Sequence, residues 1–183
     1  MIIRKAGVED ADAIAALLLL AMEDIIFQFI GKEDRGAARN FLRYFTFNEA
    51  NQYSYENCWV AEMDGEVVAA VNLYDGSRLH ALRKPVMDYI RSQFGQEMQP
   101  EDETQAGEYY IDSIGVRPDQ QGRGIGTKLL LFLIDEYAGR RSQTLGLLVD
   151  EENANAKRLY LSLGFKIVGR KILLGKVMEH LQM

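Results

Sequence analysis

The stretch that decides the fold runs Ile114-Gly115-Val116-Arg117-Pro118-Asp119-Gln120-Gln121-Gly122-Arg123-Gly124-Ile125-Gly126-Thr127. Residues 108–116, which lead into it, are rich in aromatic and β-branched side chains and predict a strand. Residues 127–138, which follow, have an apolar pattern that predicts a helix closed by Gly139. The stretch therefore predicts a strand, a turn with glycines at alternate positions, and the start of a helix.

The three alternating glycines, Gly122, Gly124 and Gly126, suit this turn to an anion. Glycine allows backbone conformations that a Cβ forbids, and it lets a ligand approach closely. The free amides at the start of the next helix point outward at the positive end of its dipole, which suits a pyrophosphate. A tight connection without a ligand is the alternative, but three alternating glycines favour the anion site.

Two phosphate-binding motifs fit less well. A Walker A loop needs glycine, lysine and then serine or threonine, whereas Thr127 precedes Lys128 here. A dinucleotide fold needs G-x-G-x-x-G close behind its first strand, and the spacing here is G-x-G-x-G. Asp150 ends the next predicted strand, where a ribose-binding acid would lie, but the chain beyond it is too short for the second half of a doubly wound sheet.

Composition limits the remaining possibilities. The 183 residues are 48% hydrophobic and 26% charged, which predicts one globular domain, 1–183, without disorder. The net charge of −6 argues against nucleic-acid partners, but it permits a phosphate site built from amides. Cys58 is the only cysteine and is predicted to be buried, and His80 and His180 are far apart, so no metal site is predicted.

The N-terminal region predicts a core helix and no targeting or membrane segment. The longest apolar run, residues 13–22, is shorter than a membrane span, and acidic residues precede it where a signal peptide would be basic. A helix is predicted from Val8 to about Phe29, ending at Gly31. We therefore expect a cytoplasmic protein without a membrane partner.

The rest of the chain alternates between strand and helix patterns. Asp64-Gly65 predicts a hairpin turn between two strands. The predicted strands cover residues 1–6, 58–63, 66–74, 144–149 and 165 onward, and further helices cover about 33–45 and 154–163. Residues 77–105 are unusual: Pro85 is predicted to be the first residue of a helix that ends at Gly95, and the acids from Glu97 to Glu103 predict an exposed loop.

Three of these segments resemble the GNAT superfamily of N-acetyltransferases. Residues 121–126 match its Q/R-x-x-G-x-G/A motif, and residues 153–165 match its N-x-x-A-x-x-L-Y-x-x-x-G-F tail. Ile3-Arg4, followed by Asp10, Ile14 and Leu17, is similar to its first strand and helix. Residues 77–105 depart from the family, which usually has a short connection there.

The resemblance implies a fold and a donor substrate. The fold is α/β (α+β), with a mixed, largely antiparallel central sheet flanked by helices and a helical insertion of about 77–105 between strands 3 and 4. The donor is acetyl-CoA, with no metal. The backbone of Ile114, Gly115 and Val116 would pair with the pantetheine arm. Asn153 would contact the cofactor, cap the next helix, or do both. The pyrophosphate would be held by Gln121, Gly122, Arg123, Gly124, Ile125, Gly126 and Thr127.

The resemblance also implies catalytic groups. Acetyl transfer to an amine needs a neutral amine, a stabilised oxyanion and a proton for the departing thiolate. Tyr160 lies at the family's acid position, although packing in an apolar helical stripe is the alternative. A glutamate that some members use as the base is replaced by Leu148. Asp112 is the first choice for the base, and Glu108 the second; strand alternation predicts both on one face with Ile114 and Val116. Either acid could instead be a solvated strand residue.

We expect an enzyme that moves an acetyl group from acetyl-CoA to a primary amine of a small molecule. Two alternatives stay open: acetylation of a protein N-terminus or lysine, and a non-catalytic acyl-CoA-binding regulatory module. Residues 77–105 discriminate between acceptors, because a lid over the acceptor site favours a small molecule and an open groove favours a polypeptide. A homodimer is expected by family analogy alone.

Overall fold

The computed structural model describes all 183 residues. Its centre is one sheet of seven strands in the order β1-β2-β3-β4-β5-β7-β6. Every neighbouring pair is antiparallel except β4 and β5, which confirms the predicted mixed, largely antiparallel sheet. The strands are β1 (Ile2–Lys5), β2 (Cys58–Met63), β3 (Glu66–Asp75), β4 (Tyr109–Val116), β5 (Leu145–Asp150), β6 (Lys166–Leu173) and β7 (Lys176–Gln182).

Five α-helices cover the two faces of this sheet. They are α1 (Ala11–Ile30), α2 (Arg35–Phe47), α3 (Leu79–Phe94), α4 (Ile125–Leu133) and α5 (Ala154–Ser162). Helices α1, α2 and α3 share one apolar cluster, which includes Val60 and Ala70 of the sheet. Helix α4 packs in a second apolar cluster, which includes Trp59 and Val71, the sequence neighbours of Val60 and Ala70. Helix α5 lies at the border of this second cluster. Because side chains alternate along a strand, the two clusters lie on opposite faces.

Helix α1 is the main core helix, and it ends where the sequence predicts. Gly31 adopts the left-handed conformation with φ 69° and closes the last turn. The segment Val8–Ile30 is long and apolar enough to cross a membrane by length and composition alone, which the sequence analysis did not anticipate. Half of that segment is buried within the fold. The helix is kinked at Met22, whose φ and ψ are −136° and 26°.

The insertion differs from its prediction at the start of its helix. Helix α3 begins at Leu79, so Pro85 lies in its interior and not at its first position. The extra turns are stabilised by burial, because Leu79 and Leu82 pack against Tyr74 and Tyr110 of the sheet. The predicted end at Gly95 is confirmed, since Gly95 has φ 65°.

Strands β4 and β5 separate, and this opening positions the site. They pair only at Tyr109, Tyr110 and Ile111, opposite Leu145 to Leu147. Beyond Ile111, β4 continues alongside β3 as far as Val116, but its β5-facing edge has no partner strand. The fold therefore leaves a row of backbone groups available within the sheet.

Candidate active site

The turn after β4 has the geometry of an anion cradle. Gly122 and Gly124 have φ of 75° and 74°, in the left-handed region. No heavy atom lies within 4 Å of where a Cβ would be at either position. Gly124 precedes α4, and the first bond of that helix runs from the Lys128 amide to the Gly124 carbonyl, 3.0 Å. The amides of the residues between them are free of intrahelical partners.

Gly126 differs from the other two glycines of the turn in its backbone. It lies within α4 and has no left-handed φ, so its backbone conformation does not need glycine. A Cβ there would be in ordinary van der Waals contact with Val116, at 3.5 Å, and Ile114, at 4.0 Å. The packing of α4 on the end of β4 therefore does not need glycine at this position either.

The side chains around the turn divide into anchors and exposed groups. Gln121 donates from Nε2 to the Val116 carbonyl, 3.0 Å, and ties the turn back to the strand. Arg117 is held by Asp119 and Glu66. Arg123 is exposed and donates to Gln120, 3.1 Å. Arg123 lies between Gly122 and Gly124, and it is the one exposed cation among the predicted cofactor residues.

Gly115 brings β4 into direct backbone contact with α1. A Cβ at this position would lie 2.0 Å from the Leu17 carbonyl oxygen, a distance that no side chain tolerates. The neighbours Ile114 and Val116 border the opposite apolar cluster, beneath α4. The structure thus gives Gly115 a packing reason to be glycine, in addition to its predicted place along the cofactor.

A β-bulge changes the predicted face of Asp112. Asn72 pairs with Ser113 and Leu73 with Ile111, so Asp112 has no partner on β3. Ile111 and Ile114 both belong to the α4 side, whereas Asp112 lines a cavity with Met22 and Ile25 of α1. The prediction that Asp112 shares a face with Ile114 and Val116 is wrong, because the extra residue reverses the alternation.

Asp112 lies in a buried polar cluster. Its Oδ2 accepts hydrogen bonds from Asn72 Nδ2, 3.2 Å, and Gln52 Nε2, 3.4 Å. Burial and, next, the nearby Glu103 carboxylate together raise the pKa of Asp112 to about 8, against smaller opposing effects of Gln52, Arg83 and Asn72. A carboxyl that exchanges protons near neutral pH is suited to acid–base work.

Glu103 corrects the prediction of an exposed acidic loop. Glu97, Glu101 and Asp102 are exposed as predicted, but Glu103 is only 5% exposed. Its Oε2 accepts from Arg83 at 2.6 Å, and its Oε1 accepts from Gln52 at 2.6 Å and from the Tyr74 hydroxyl at 2.9 Å. The charge and hydrogen-bonding capacity of this carboxylate are met inside the fold, which is why it does not point to solvent.

The insertion and the β6–β7 hairpin close over this cluster. Arg83 donates to the carbonyls of Pro100 and Glu101, both at 3.0 Å. The Leu174 amide, at the hairpin tip, donates to Glu101 Oε2 at 3.0 Å. A cavity of about 30 Å³ remains beneath them, room for little more than a small polar head group. Its lining includes Asp112, Glu103, Pro100, Leu173, Leu174 and Met22.

Two buried oxygens beside Asp112 have no hydrogen-bond partner. They are Asn72 Oδ1 and Ser113 Oγ, which belong to residues paired across β3 and β4 at the bulge. Asn72 is completely buried, and Ser113 is 8% exposed. Because buried acceptors are nearly always satisfied, two orphans at one bulge indicate a place for a hydrogen-bond donor.

Tyr160 lies on α5, on the other side of the sheet from Asp112. Its ring packs edge-on against Phe165 at 6.0 Å, and burial raises the pKa of its hydroxyl. Asn153 begins the same helix: its Oδ1 accepts from the Ala156 amide at 3.1 Å. The capping role of Asn153 is therefore observed, and its exposed side chain leaves a second contact open.

Glu108 is a structural residue. Its carboxylate accepts from Thr104 at 2.7 Å and from Gln182 at 2.7 Å, and it lies 2.8 Å from His180 Nε2. Despite burial, these partners hold the pKa of Glu108 below its usual value, so it is a poor base. It lies where β4 and β5 are still joined, away from the bulge. The second choice for the base is therefore not supported by its surroundings.

A larger cavity, a groove of about 570 Å³, lies elsewhere along α1. It is lined by small and apolar residues of α1 together with Arg35, Arg39 and Arg117. Neither Asp112 nor Tyr160 lines it. The bulge is therefore distinguished by its buried polar groups and not by the size of its cavity.

Sequence reasoning missed Gln52, Asn72, Tyr74, Arg83 and Glu103. Arg83 and Glu103 occur among other charged residues of the insertion, and no spacing distinguishes them. Asn72 was detectable, since it is a lone amide in the apolar run of residues 67–73. A buried amide in a strand usually has a specific hydrogen-bonding role.

Comparisons with known proteins agree with this geometry. The family model described as the acetyltransferase (GNAT) family matches residues 18–165. A crystal structure described as that of an acetyltransferase is similar over 100% of this chain and 98% of that chain, with a TM-score of 0.81 and 31% identity.

Two curated relatives are similar over shorter segments. The mycothiol acetyltransferase of Thermobifida fusca is 41% identical over 73 residues, 40% of this chain and 22% of that protein. The ribosomal protein bS18 alanine N-acetyltransferase of Salmonella typhimurium is 53% identical over 53 residues, 29% of this chain and 36% of that protein. The matched segments thus span between about a fifth and about a third of these relatives. The family match, which extends over most of the chain, shows that this protein belongs to the GNAT family of acetyltransferases.

Proposed function

We propose that this protein is an acetyl-CoA-dependent N-acetyltransferase that acetylates a primary amine of a small molecule. The observation that carries the choice of a small acceptor is the cover over Asp112. Arg83, Pro100 and Glu103 of the insertion and Leu174 of the β6–β7 hairpin all line its cavity. A folded polypeptide surface would need an open groove there, whereas a small amine needs only a pocket for its head group.

The residues present fit acetyl-CoA, the donor of this family. The unpartnered edge of β4 offers backbone groups to the amides of pantetheine, as an edge strand does to a peptide. Gly122 and Gly124 leave open space in front of the free amides that begin α4, which suits a pyrophosphate. We propose Ile114 to Val116 and Gln121 to Thr127 as the binding residues, with Asn153 as a further contact.

The acceptor side fits an ammonium group. Glu103 and Asp112 supply two buried carboxyl groups, and Arg83 is the one cation that bonds to either of them. Arg83 also pairs with the half-exposed Asp102 at 3.2 Å. The buried acids therefore outnumber the buried cation, and an entering monocation offsets the excess negative charge when both are ionised. An ammonium also brings three N–H donors, and Asn72 Oδ1 and Ser113 Oγ are unsatisfied acceptors.

The two proposed proton transfers take place on opposite sides of the sheet, one at Asp112 and one at Tyr160. Acetyl-CoA supplies an acetyl group activated as a thioester. We propose that Asp112 accepts a proton from the entering ammonium, which frees the nitrogen lone pair for attack on the thioester carbon. A backbone amide of β4 near Ile114 donates to the developing oxyanion, because that edge has no partner strand.

We propose that the Tyr160 hydroxyl gives its proton to the departing sulfur. Burial raises the pKa of Tyr160 above its usual 10.0, so the phenol stays protonated at neutral pH. A thiol has a pKa of about 8.5, so full transfer is uphill by about 2 kcal/mol or more. The donation is therefore coupled to breakage of the carbon–sulfur bond and does not precede it.

One domain is proposed to perform this chemistry. A single sheet runs through residues 2–182, and the insertion of about 77–105 contributes to the same cavity as α1 and β4. A protein N-terminus or lysine as acceptor, and a non-catalytic acyl-CoA-binding module, are the alternatives.

Two measurements separate these functions. Saturating acetyl-CoA should raise the Tm, because it binds the folded state. A transfer screen with polyamines, aminoglycosides, amino acids and short peptides should give activity with a small amine. A Tm that acetyl-CoA leaves unchanged contradicts the cofactor proposal. Acetyl-CoA binding without transfer to any amine or peptide would favour the binding module.

A further inference from the structure

We propose that Glu103 is a positioning residue that keeps a proton on Asp112 until the acceptor amine enters. The inference rests on the proposed function, in which Asp112 is the base. The insertion then has a second role besides covering the cavity, because it places the Glu103 carboxylate close to Asp112. Glu103 does not touch the acceptor in this proposal, because both of its oxygens already accept hydrogen bonds within the protein.

A shared donor connects the two acids. Gln52 Nε2 lies 2.6 Å from Glu103 Oε1 and 3.4 Å from Asp112 Oδ2. The two carboxyl groups are therefore close enough to repel each other strongly when both are ionised, because burial shields the site from water. One of them must carry a proton, or a cation must enter.

The hydrogen bonds decide which acid is ionised. Glu103 accepts from a guanidinium, an amide and a phenol, and its Arg83 partner is itself only 7% exposed. Asp112 accepts only two amide hydrogen bonds, both at Oδ2 and both longer than 3 Å. The charge-assisted bond from Arg83 stabilises the negative charge on Glu103, so the proton goes to Asp112.

The other ionisable groups near Asp112 do not compete for this proton. They are phenols and a thiol, and burial raises the pKa of each well above neutrality: Tyr53 from the loop before β2, Cys58 of β2, Tyr74 of β3 and Tyr110 of β4. Helix α1 contributes only the apolar Met22, Ile25 and Phe29. Arg83 and Glu103 are thus the charged residues that set the state of Asp112.

The proton balance of a turnover follows from this arrangement. An entering ammonium supplies the missing positive charge, so the Asp112 proton leaves to solvent and the carboxylate forms beside the cation. The carboxylate then takes one proton from the ammonium, which frees the nitrogen lone pair for attack on the thioester carbon. As the nitrogen–carbon bond forms and the carbon–sulfur bond breaks, the Tyr160 proton goes to the sulfur. The second nitrogen proton passes to solvent, and Tyr160 regains a proton from solvent. Asp112 ends the turnover protonated, which is the state that Glu103 favours. The nitrogen of the product amide is uncharged.

A carbon-13 NMR titration of the side-chain carboxyl groups tests the proposal without any acceptor. The Asp112 signal, assigned from its loss in Asp112→Asn, should titrate near pH 8 in the wild type. It should titrate at least about one pH unit lower in Glu103→Gln. Glu103→Asp, which keeps the charge, should restore the wild-type midpoint in part. The matched control is Glu97→Gln, an exposed acid of the same insertion, which should not move it.

The wild type alone provides a second check if Glu103→Gln does not fold. At pH 6 the Asp112 carboxyl carbon should have the chemical shift of a protonated acid. An Asp112 signal at the ionised position at pH 6 overturns the proposal. So does an Asp112 midpoint that is the same in wild type and folded Glu103→Gln.

The pH dependence of kcat/KM distinguishes a wrong role for Glu103 from a wrong assignment of Asp112 as the base. The acidic limb of kcat/KM for an amine acceptor should move to lower pH in Glu103→Gln, and kcat should fall about 3- to 10-fold because the base is weaker. If Asp112→Asn retains the wild-type limb, the assignment of the base is wrong. If Asp112→Asn loses the limb while Glu103→Gln leaves it in place, only the role of Glu103 is wrong. Loss of stability without a shifted limb would indicate a structural role alone.

Discussion

The two sides of the proposed reactive centre are built in different ways. On the proposed donor side, the end of β4, the glycine turn and the start of α4 follow one another within residues 114–127, and backbone groups form the cradle. The proposed acceptor side is built from side chains of separate segments: Gln52, Asn72, Arg83, Glu103 and Asp112.

This difference separates what the family shares from what is specific to this chain. A backbone cradle depends on turn geometry and tolerates many side chains, so it suits a donor common to the whole family. A side-chain cluster depends on each residue, so it suits a particular acceptor. The insertion that departs from the family supplies Arg83 and Glu103 to the acceptor side. Substitutions should therefore act differently on the two sides.

Gly115→Ala should have the largest effect on stability. The added Cβ would lie 2.0 Å from the Leu17 carbonyl oxygen, so β4 and α1 must separate. We expect a loss of about 3 kcal/mol, or a decrease of roughly 6–12 °C in Tm, by calorimetry. Gly169→Ala is the control, because no atom lies within 4 Å of its Cβ. Equal Tm values for the two variants would contradict the packing role of Gly115.

Tyr160→Phe should have the largest effect on catalysis while the fold is unchanged. The substitution keeps the ring against Phe165 and removes only the proton donor. We expect kcat to fall at least about 100-fold, with little change in the KM for acetyl-CoA. Tyr44→Phe, at an exposed position, is the matched control. An unchanged kcat for Tyr160→Phe would show that another group protonates the sulfur.

The pH dependence of stability should reveal Asp112. Its pKa rises from 3.8 to about 8 on folding, so the folded state binds more protons between those values. The contribution of Asp112 to the free energy of unfolding is therefore fully present below about pH 3.8. It is lost as the pH rises from there through about 8. Thermal unfolding should show a steeper decrease in Tm with rising pH for the wild type than for Asp112→Asn. Parallel curves would mean that Asp112 is ionised in the folded protein at neutral pH.

Asn153 substitutions should give the smallest effects and separate its two roles. Asn153→Ala removes the cap on α5 and should cost about 1 kcal/mol. Asn153→Ser keeps a capping oxygen and should recover most of that stability. If Asn153 also contacts the cofactor, both variants should raise the KM for acetyl-CoA. A normal KM in Asn153→Ser would limit the residue to its observed capping role.

The donor side was predictable because its determinants are local in sequence. Alternating glycines, the preceding strand and the following helix predict the cradle, and the family and the fold are confirmed. The same local reasoning failed for the backbone of Gly126, which lies within α4 and has no left-handed φ. It also failed for Pro85, because burial of Leu79 and Leu82 extends α3 toward its N-terminus.

The acceptor side was not predictable because its determinants are distant in sequence. The predicted face of Asp112 was wrong, since a bulge leaves no mark in the β4 sequence pattern. Glu103 looks like its exposed neighbours in the sequence, and only the path of the insertion brings it to Arg83. The predicted catalytic roles of Asp112 and Tyr160 remain proposals.

The ratio of kcat/KM for a small diamine to that for a short peptide with a free N-terminus measures whether the protein selects a small acceptor. Both acceptors present a primary amine to the same donor, but only the peptide carries a chain that the cover over Asp112 must admit. We expect the small amine to be favoured at least about 10-fold, a difference of about 1.4 kcal/mol in transition-state binding. A peptide acetylated as efficiently as the diamine, or more so, would contradict the account of a closed acceptor site.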